Sequence, residues 1–213
     1  MQATEPNVSD DHQKTVGADP SAQAASEGRD VTPRPALRLP TAARLTFASL
    51  RVDDAPFLVE LLNEPDFLRY IGDRGVRDCA AAMRYVADGP EASYRRYGFG
   101  LLAVRVTQTQ VPVGICGLLR RPTLENVDLG FAILGAYRGR GYAREAAAAV
   151  LRQAQQEFGI ERVVAVVQPD NVASITVLAA VGMTFERRIR LASGEPELLL
   201  YARAARPKPS RSP

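Results

Sequence analysis

Between Gly135 and Glu145 the chain reads Gly-Ala-Tyr-Arg-Gly-Arg-Gly-Tyr-Ala-Arg-Glu, and its three glycines and first two arginines come just ahead of an alanine-rich segment. The first amides of a helix have no partner within it, and the helix dipole places partial positive charge beside them. Glycines let the main chain approach a bound anion, and Arg138 and Arg140 add guanidinium charge of phosphate-matching geometry. The chemistry on offer is anion binding; a tight turn with solvated arginines uses the same residues. A nucleoside-triphosphate loop ends in Gly-Lys-Ser/Thr, and this stretch has no lysine. From Gly139 the reading Gly-Arg-Gly-Tyr-Ala-Arg also fails the dinucleotide pattern at its third glycine.

What the chain lacks narrows its chemistry further. The single histidine is His12 and the only lysines are Lys14 and Lys208, all in polar terminal segments. The folded part therefore offers no imidazole base, no Schiff-base lysine and no zinc site of the usual kind, and no metal is expected. Cys79 and Cys116 are far apart and read as reduced structural thiols. A net charge of +3 spread along the chain, without a basic face, argues against nucleic acid. No apolar run reaches the ~20 residues a membrane helix needs, and no signal peptide opens the chain, so a cytoplasmic protein without membrane contact is expected.

These residues must be positioned by a folded domain. Residues 1 to 40 are rich in Ala, Ser, Pro, Asp and Gln and read as a disordered tail, as does the basic, proline-containing end from 206 to 213. Residues 41 to 205 carry the domain. Strands are expected over Arg44–Leu50, Leu101–Val106, Val111–Leu119, Val127–Leu134, Arg162–Val167, Met183–Arg190 and Glu197–Arg203. Helices are expected from the Asp53-Asp54-Ala55-Pro56 cap through Leu62, over Asp78–Val86 ending at Asp88-Gly89-Pro90, over Gly141–Phe158, and over Asn171–Val181. Phe67–Val76 reads as irregular. The order β-α-α-β-β-β-α-β-α-β-β makes an α/β (α+β) protein with one mixed sheet and helices on its faces.

On these motifs the chain resembles the GNAT superfamily of acyl-CoA N-acyltransferases. Arg138, Gly141 and Ala143 match its pyrophosphate signature Gln/Arg-x-x-Gly-x-Gly/Ala, placed after the strand Asp128–Leu134 and before a long helix. Asn171-Val172-Ala173-Ser174 and Gly182-Met183-Thr184-Phe185 are similar to its second motif. Tyr70-Ile71-Gly72-Asp73-Arg74, Gly114-Ile115-Cys116-Gly117 and Asp128-Leu129-Gly130-Phe131 look most like the ribosomal-protein-alanine acetyltransferase (RimJ/RimL-like) branch. The resemblance spans roughly residues 44 to 203.

The resemblance implies a twisted, mostly antiparallel sheet whose two central strands splay, with acetyl-CoA as co-substrate in the gap. Backbone groups at Ile133 and Leu134 would meet the pantetheine arm, and the amides of Arg138, Gly139, Arg140, Gly141, Tyr142 and Ala143 the pyrophosphate. Asn171 would hydrogen-bond the pantetheine and Ser174 the departing sulfur; both also make sense as helix-capping residues. The reaction implied is direct attack of an amine, on a peptide or a small molecule, on the thioester. Asp128 would be the base, directly or through water, and a strand-end salt bridge is its structural reading. Tyr70, Arg74, Arg77, Tyr94 and Phe99 fall in segments that would line the acceptor groove. Where many relatives carry a thiol-protonating tyrosine this chain has Leu178, which leaves Ser174 or water for that step. The resemblance also admits a homodimer, and a non-catalytic acyl-CoA-binding module is the alternative on the same fold.

Overall fold

The computed structural model describes residues 37–204. The expected tails lie outside the described residues, apart from residues 37–40. Those sit against the domain: the carbonyl of Arg38 accepts from Gln153 at 2.7 Å, and the Arg38 guanidinium pairs with Glu157.

Seven strands form one sheet in the order β1-β2-β3-β4-β5-β7-β6. They are β1 Leu45–Ser49, β2 Leu101–Val106, β3 Pro112–Leu119, β4 Val127–Ile133, β5 Arg162–Val167, β6 Thr184–Ile189 and β7 Leu198–Ala204. Every neighbouring pair is antiparallel except β4 with β5. This is the mixed α/β sheet expected from the residues, with each strand within a few positions of its sequence bounds.

Six helices flank it: α1 Ala55–Leu62, α2 Pro65–Tyr70, α3 Cys79–Val86, α4 Ala92–Tyr97, α5 Tyr142–Gln156 and α6 Val172–Ala180. Ala146, Ala147, Val150 and Ala154 recur on one side of α5 and pack on one face of the sheet with Leu178 of α6. Leu58, Leu61 and Leu62 of α1 cover the other face with Ala82 and Val86 of α3. No described helix is long and apolar enough to cross a membrane.

Two local expectations need correction. Phe67–Val76 is not wholly irregular: Pro65 sits in the first turn of α2, where its missing N–H costs nothing, and the short helix runs to Tyr70 with Phe67 buried. Asp88-Gly89-Pro90 does not end a helix either. The chain widens there into a π-helical turn, Ala87–Glu91, which takes Pro90 into a buried position and continues directly into α4. A wider turn relieves the clash that proline makes with an α-helical carbonyl behind it. The helix finally stops at Gly98, in the left-handed conformation.

The glycines of β3 serve close packing. A methyl group on Gly117 would lie 2.0 Å from the main-chain oxygen of Gly100 and 2.8 Å from the Leu101 Cα, backbone atoms that cannot move aside cheaply. Gly117→Ala is expected to destabilise the fold by about 3 kcal/mol and to lower Tm by roughly 6–12 °C. Calorimetric melting of the variant checks this; a Tm within about 2 °C of the parent would show that β2 and β3 can separate at low cost.

Candidate active site

β4 and β5 run parallel and are in register only at Val127↔Val163 and Asp128↔Val164. Past Asp128 the two strands part, and a cleft of about 350 Å³ opens beside β4, walled by Phe131, Ala132 and Ile133, by Asn171 and Ser174, and by the turn before α5. A second cavity of about 450 Å³ continues from it and reaches Asp128. Tyr70, Phe131, Asn171 and Ser174 line both, so a path runs through the sheet where the strands splay.

Helix α2, hidden from the sequence reading, spans the ends of the parted strands. On the β4 side, Glu64 just ahead of it and Asp66 within it pair with Arg138, and Glu64 also accepts the Gly135 amide at 2.7 Å. On the β5 side, Arg69 pairs with Asp170 at 2.7 Å while its carbonyl accepts from Gln168 at 3.0 Å. One short helix thus ties both banks of the cleft.

The glycine turn is built for main-chain donors. Gly139 and Gly141 have φ of 74° and 79°, a region in which a side chain is strained. Gly141 is the N-cap of α5 and brings no side-chain cap, so the amides of the first turn are left to whatever occupies the cleft. Ile133, Arg138, Gly139, Gly141, Tyr142, Ala143, Asn171 and Ser174 all line it. Leu134 and Arg140 do not. Leu134 is buried among α1 and α3 side chains and its amide donates to the Val113 carbonyl at 2.9 Å. Arg140 lies over the Tyr137 ring and donates to the Ala136 carbonyl at 3.1 Å. The Arg138 guanidinium is committed to Glu64, Asp66 and the Ile133 carbonyl; it braces the turn, and its charge is matched there.

Asp128 is 1% exposed. Arg121 reaches one carboxylate oxygen at 2.5 Å, while the other, Oδ1, is buried with no hydrogen-bond partner. Burial drives the carboxyl up to about 6, and the nearby Arg121 guanidinium and, more weakly, the Val166 amide oppose the shift without cancelling it. The salt bridge anticipated as the structural reading is present, and it leaves the second oxygen desolvated in a residue that lines the cavity.

Asn171 caps α6: its side-chain oxygen accepts the Ser174 amide at 3.0 Å. The cap uses the main chain of Ser174, so the Ser174 hydroxyl, half-buried where the cavities join, is not spent on it. Leu178 is buried and lines the Asp128 cavity, with no proton to offer. Of the expected acceptor segments, Tyr70 and Arg74 line that cavity. Tyr94 instead sits in the core, its hydroxyl accepting from the Leu50 amide at 3.1 Å and donating to the Leu101 carbonyl; Arg77 pairs with Asp73 and Phe99 stacks on Tyr97. Cys116 is fully buried and its thiol is pushed far up by desolvation, which removes it as a nucleophile; Cys79 is exposed, and both thiols are free. No cluster of metal-ligating side chains occurs among the described residues.

Residues 44–184 match the domain family described as acetyltransferase (GNAT) domain. The chain belongs to this family. Among curated proteins, the GNAT domain is 29% identical over 141 residues to the uncharacterized protein YkkB of Bacillus subtilis, covering 65% of this chain and 80% of that one. A shorter match, 36% identical over 59 residues, covers 28% of this chain and 35% of the uncharacterized N-acetyltransferase YnaD of the same organism. Among solved structures, an acetyltransferase from Agrobacterium tumefaciens superposes with a TM-score of 0.68 at 25% identity, over 79% of this chain and 95% of that one. A ribosomal L7/L12 alpha-N-protein acetyltransferase, RimL, in complex with coenzyme A shares the fold with a TM-score of 0.62 at 16% identity, over 79% of this chain and 98% of that one.

Sequence reasoning about this GNAT domain missed Arg121, Tyr85 and the acidic pair Glu64 and Asp66. A signal existed for Arg121. With β3 ending at Leu119 and β4 starting at Val127, residues 120–126 are a hairpin loop, which returns Arg121 to the carboxylate seven positions later. Nothing near Glu64 and Asp66 in the chain points to Arg138, more than 70 residues away.

Proposed function

We propose that this GNAT domain is an N-acetyltransferase that moves the acetyl group of acetyl-CoA directly to a primary amine within a ternary complex. The observation that carries the reading is the continuity of one path through the splayed sheet. At one end are the first-turn amides of α5, with no side chain capping them; at the other is the buried, unpartnered oxygen of Asp128. A left-handed glycine at the N-cap and a trough beside β4 fit a diphosphate with an extended arm. Its motifs resemble the RimJ/RimL-like branch, and we place the chain there.

Acetyl-CoA, when bound, supplies an acetyl group activated as a thioester. The chain's own residues do the rest. Gly141, Tyr142 and Ala143 line the end of the cleft where their amides would meet the diphosphate, and Asn171 fixes the start of α6 beside it. Asp128 takes a proton from the incoming ammonium, directly or through one water, and Arg121 stabilises the carboxylate that must be free to do so. The Ser174 hydroxyl, at the junction of the two cavities, donates toward the departing sulfur, the step Leu178 cannot serve.

Ser174→Ala is expected to lower kcat by about tenfold, the worth of one hydrogen bond made as charge develops. Because the cap is made by Asn171, its Tm should stay within about 1 °C of the parent. A panel of primary amines and N-terminal peptides, followed by thiol release from acetyl-CoA, tests the whole reading. Turnover with at least one acceptor is the expected result. Tight coenzyme A binding with no turnover on any amine would make the domain a non-catalytic acyl-CoA-binding module.

A further inference from the structure

A third cavity, of about 400 Å³, opens beside the one that holds Asp128 and shares Arg74, Tyr85, Leu101, Leu119 and Arg121 with it. Its outer walls are the π-helical turn with α4, and the start of the β3–β4 loop. Four arginines line it, from three separate parts of the chain. Arg74 comes from the loop after α2, Arg96 from α4, and Arg120 and Arg121 from the β3–β4 loop. Arg121 is matched by Asp128. The other three have no carboxylate partner among the described residues. Arg74 reaches only the Ile71 carbonyl at 3.5 Å, Arg120 donates to the Glu125 carbonyl at 2.6 Å, and Arg96 lies over the Tyr97 ring.

Elsewhere some arginines pair with acids, as Arg77 does with Asp73 and Arg188 with Glu197, and others, such as Arg140 and Arg152, donate to carbonyls singly; what sets this cavity apart is that three without an acid line one concavity. Here Asp88 is the one carboxylate on the wall besides three unmatched guanidinium groups. Guanidinium groups without an acid partner, beside phenol rings and in a concavity continuous with the one that holds Asp128, are suited to an oxyanion borne by the molecule being acetylated.

We propose that this cavity is an oxyanion subsite and that the acceptor is an amine carrying a carboxylate or phosphate group several bonds from its nitrogen. Arg74, Arg96 and Arg120 bind that group while the amine reaches Asp128 through the shared wall. The inference rests on the acetyl-transfer reading for the position of the amine, and on the arginine geometry alone for the anion.

The test uses matched acceptors: alanyl-glutamate against alanyl-glutamine, and alanyl-phosphoserine against alanyl-serine, all as C-terminal amides. With the full chain, kcat/KM is expected to favour a charged acceptor over its neutral twin by about tenfold or more, the effect of a charge-assisted contact. In Arg96→Ala/Arg120→Ala the preference falls to within about twofold, and in the double lysine variant it is partly restored. Both arginines are exposed, so these variants should fold. The arm with the larger ratio tells carboxylate from phosphate. Calorimetry with the same four probes, with coenzyme A present, reads the preference without turnover. A charged preference that depends on the arginines but comes without acetylation would uphold the subsite and sink the acetyl-transfer reading. Equal binding and equal turnover of charged and neutral probes would overturn the subsite and leave acetyl transfer standing.

Discussion

Asp128→Asn is expected to lower kcat/KM for the amine by about 10²–10⁴, the usual contribution of a positioned general base, while the affinity for coenzyme A stays within about twofold. The same substitution should not weaken the fold near pH 8. Burial raises the Asp128 carboxyl to about 6, so the folded protein holds this proton more tightly than the unfolded chain does. Stability from the protonated form is fully present below about pH 4 and is lost as pH rises through about 6. Above that, the ionised, desolvated carboxylate costs roughly 3 kcal/mol relative to an unperturbed one. Asparagine lifts that cost, and Arg121, partly open to solvent, can hydrate in place of its lost partner. The Tm difference between variant and parent should therefore move in the variant's favour from pH 5 to pH 8. In the parent, kcat/KM should rise with pH along a limb centred near the Asp128 value. A variant that keeps more than a tenth of the activity would remove Asp128 from the chemistry.

The second large effect is expected at Gly141. Its φ of 79° is one that a β-branched residue adopts only under strain, and it is the residue that presents the first-turn amides of α5. Gly141→Val should raise the Kd for coenzyme A by about 100-fold or more, because two charge-assisted main-chain hydrogen bonds worth ~1.5–3 kcal/mol each lose their geometry. Gly159→Val is the control. That glycine also has a positive φ, 62°, but lies past the other end of the same helix with open space around it. It should cost stability and leave coenzyme affinity within about twofold of the parent. Isothermal calorimetry on the two variants separates them; equal losses at both ends would mean that the turn before α5 matters only for folding.

Much of this was legible in the chain. The strands and the long helices follow from apolar spacing, and α5 and α6 start where Gly141 and Asn171 place them. The glycine turn shows itself because a left-handed glycine ahead of a helix is a local device, written in adjacent residues. The π-helical turn was not legible, since Asp-Gly-Pro ordinarily ends a helix and only the packing of Pro90 in the interior keeps this one going. Nor was α2, whose six residues are too few for a helical period to stand out.

By itself the sequence determined which chemistry is absent, with no histidine or lysine in the domain, and where main-chain donors must gather. Those are matters of residue type and of neighbours along the chain. Tertiary structure alone decided that Asp128 would be stripped of water with one oxygen unmatched, that Arg138 would pair with Glu64 and Asp66 at the edge of the cleft, and that three arginines without an acid partner would line one cavity. The physical reason is that desolvation and ion pairing depend on what is brought close in space. Glu64 meets Arg138, and Arg96 shares a wall with Arg120, only after a sheet has closed between them.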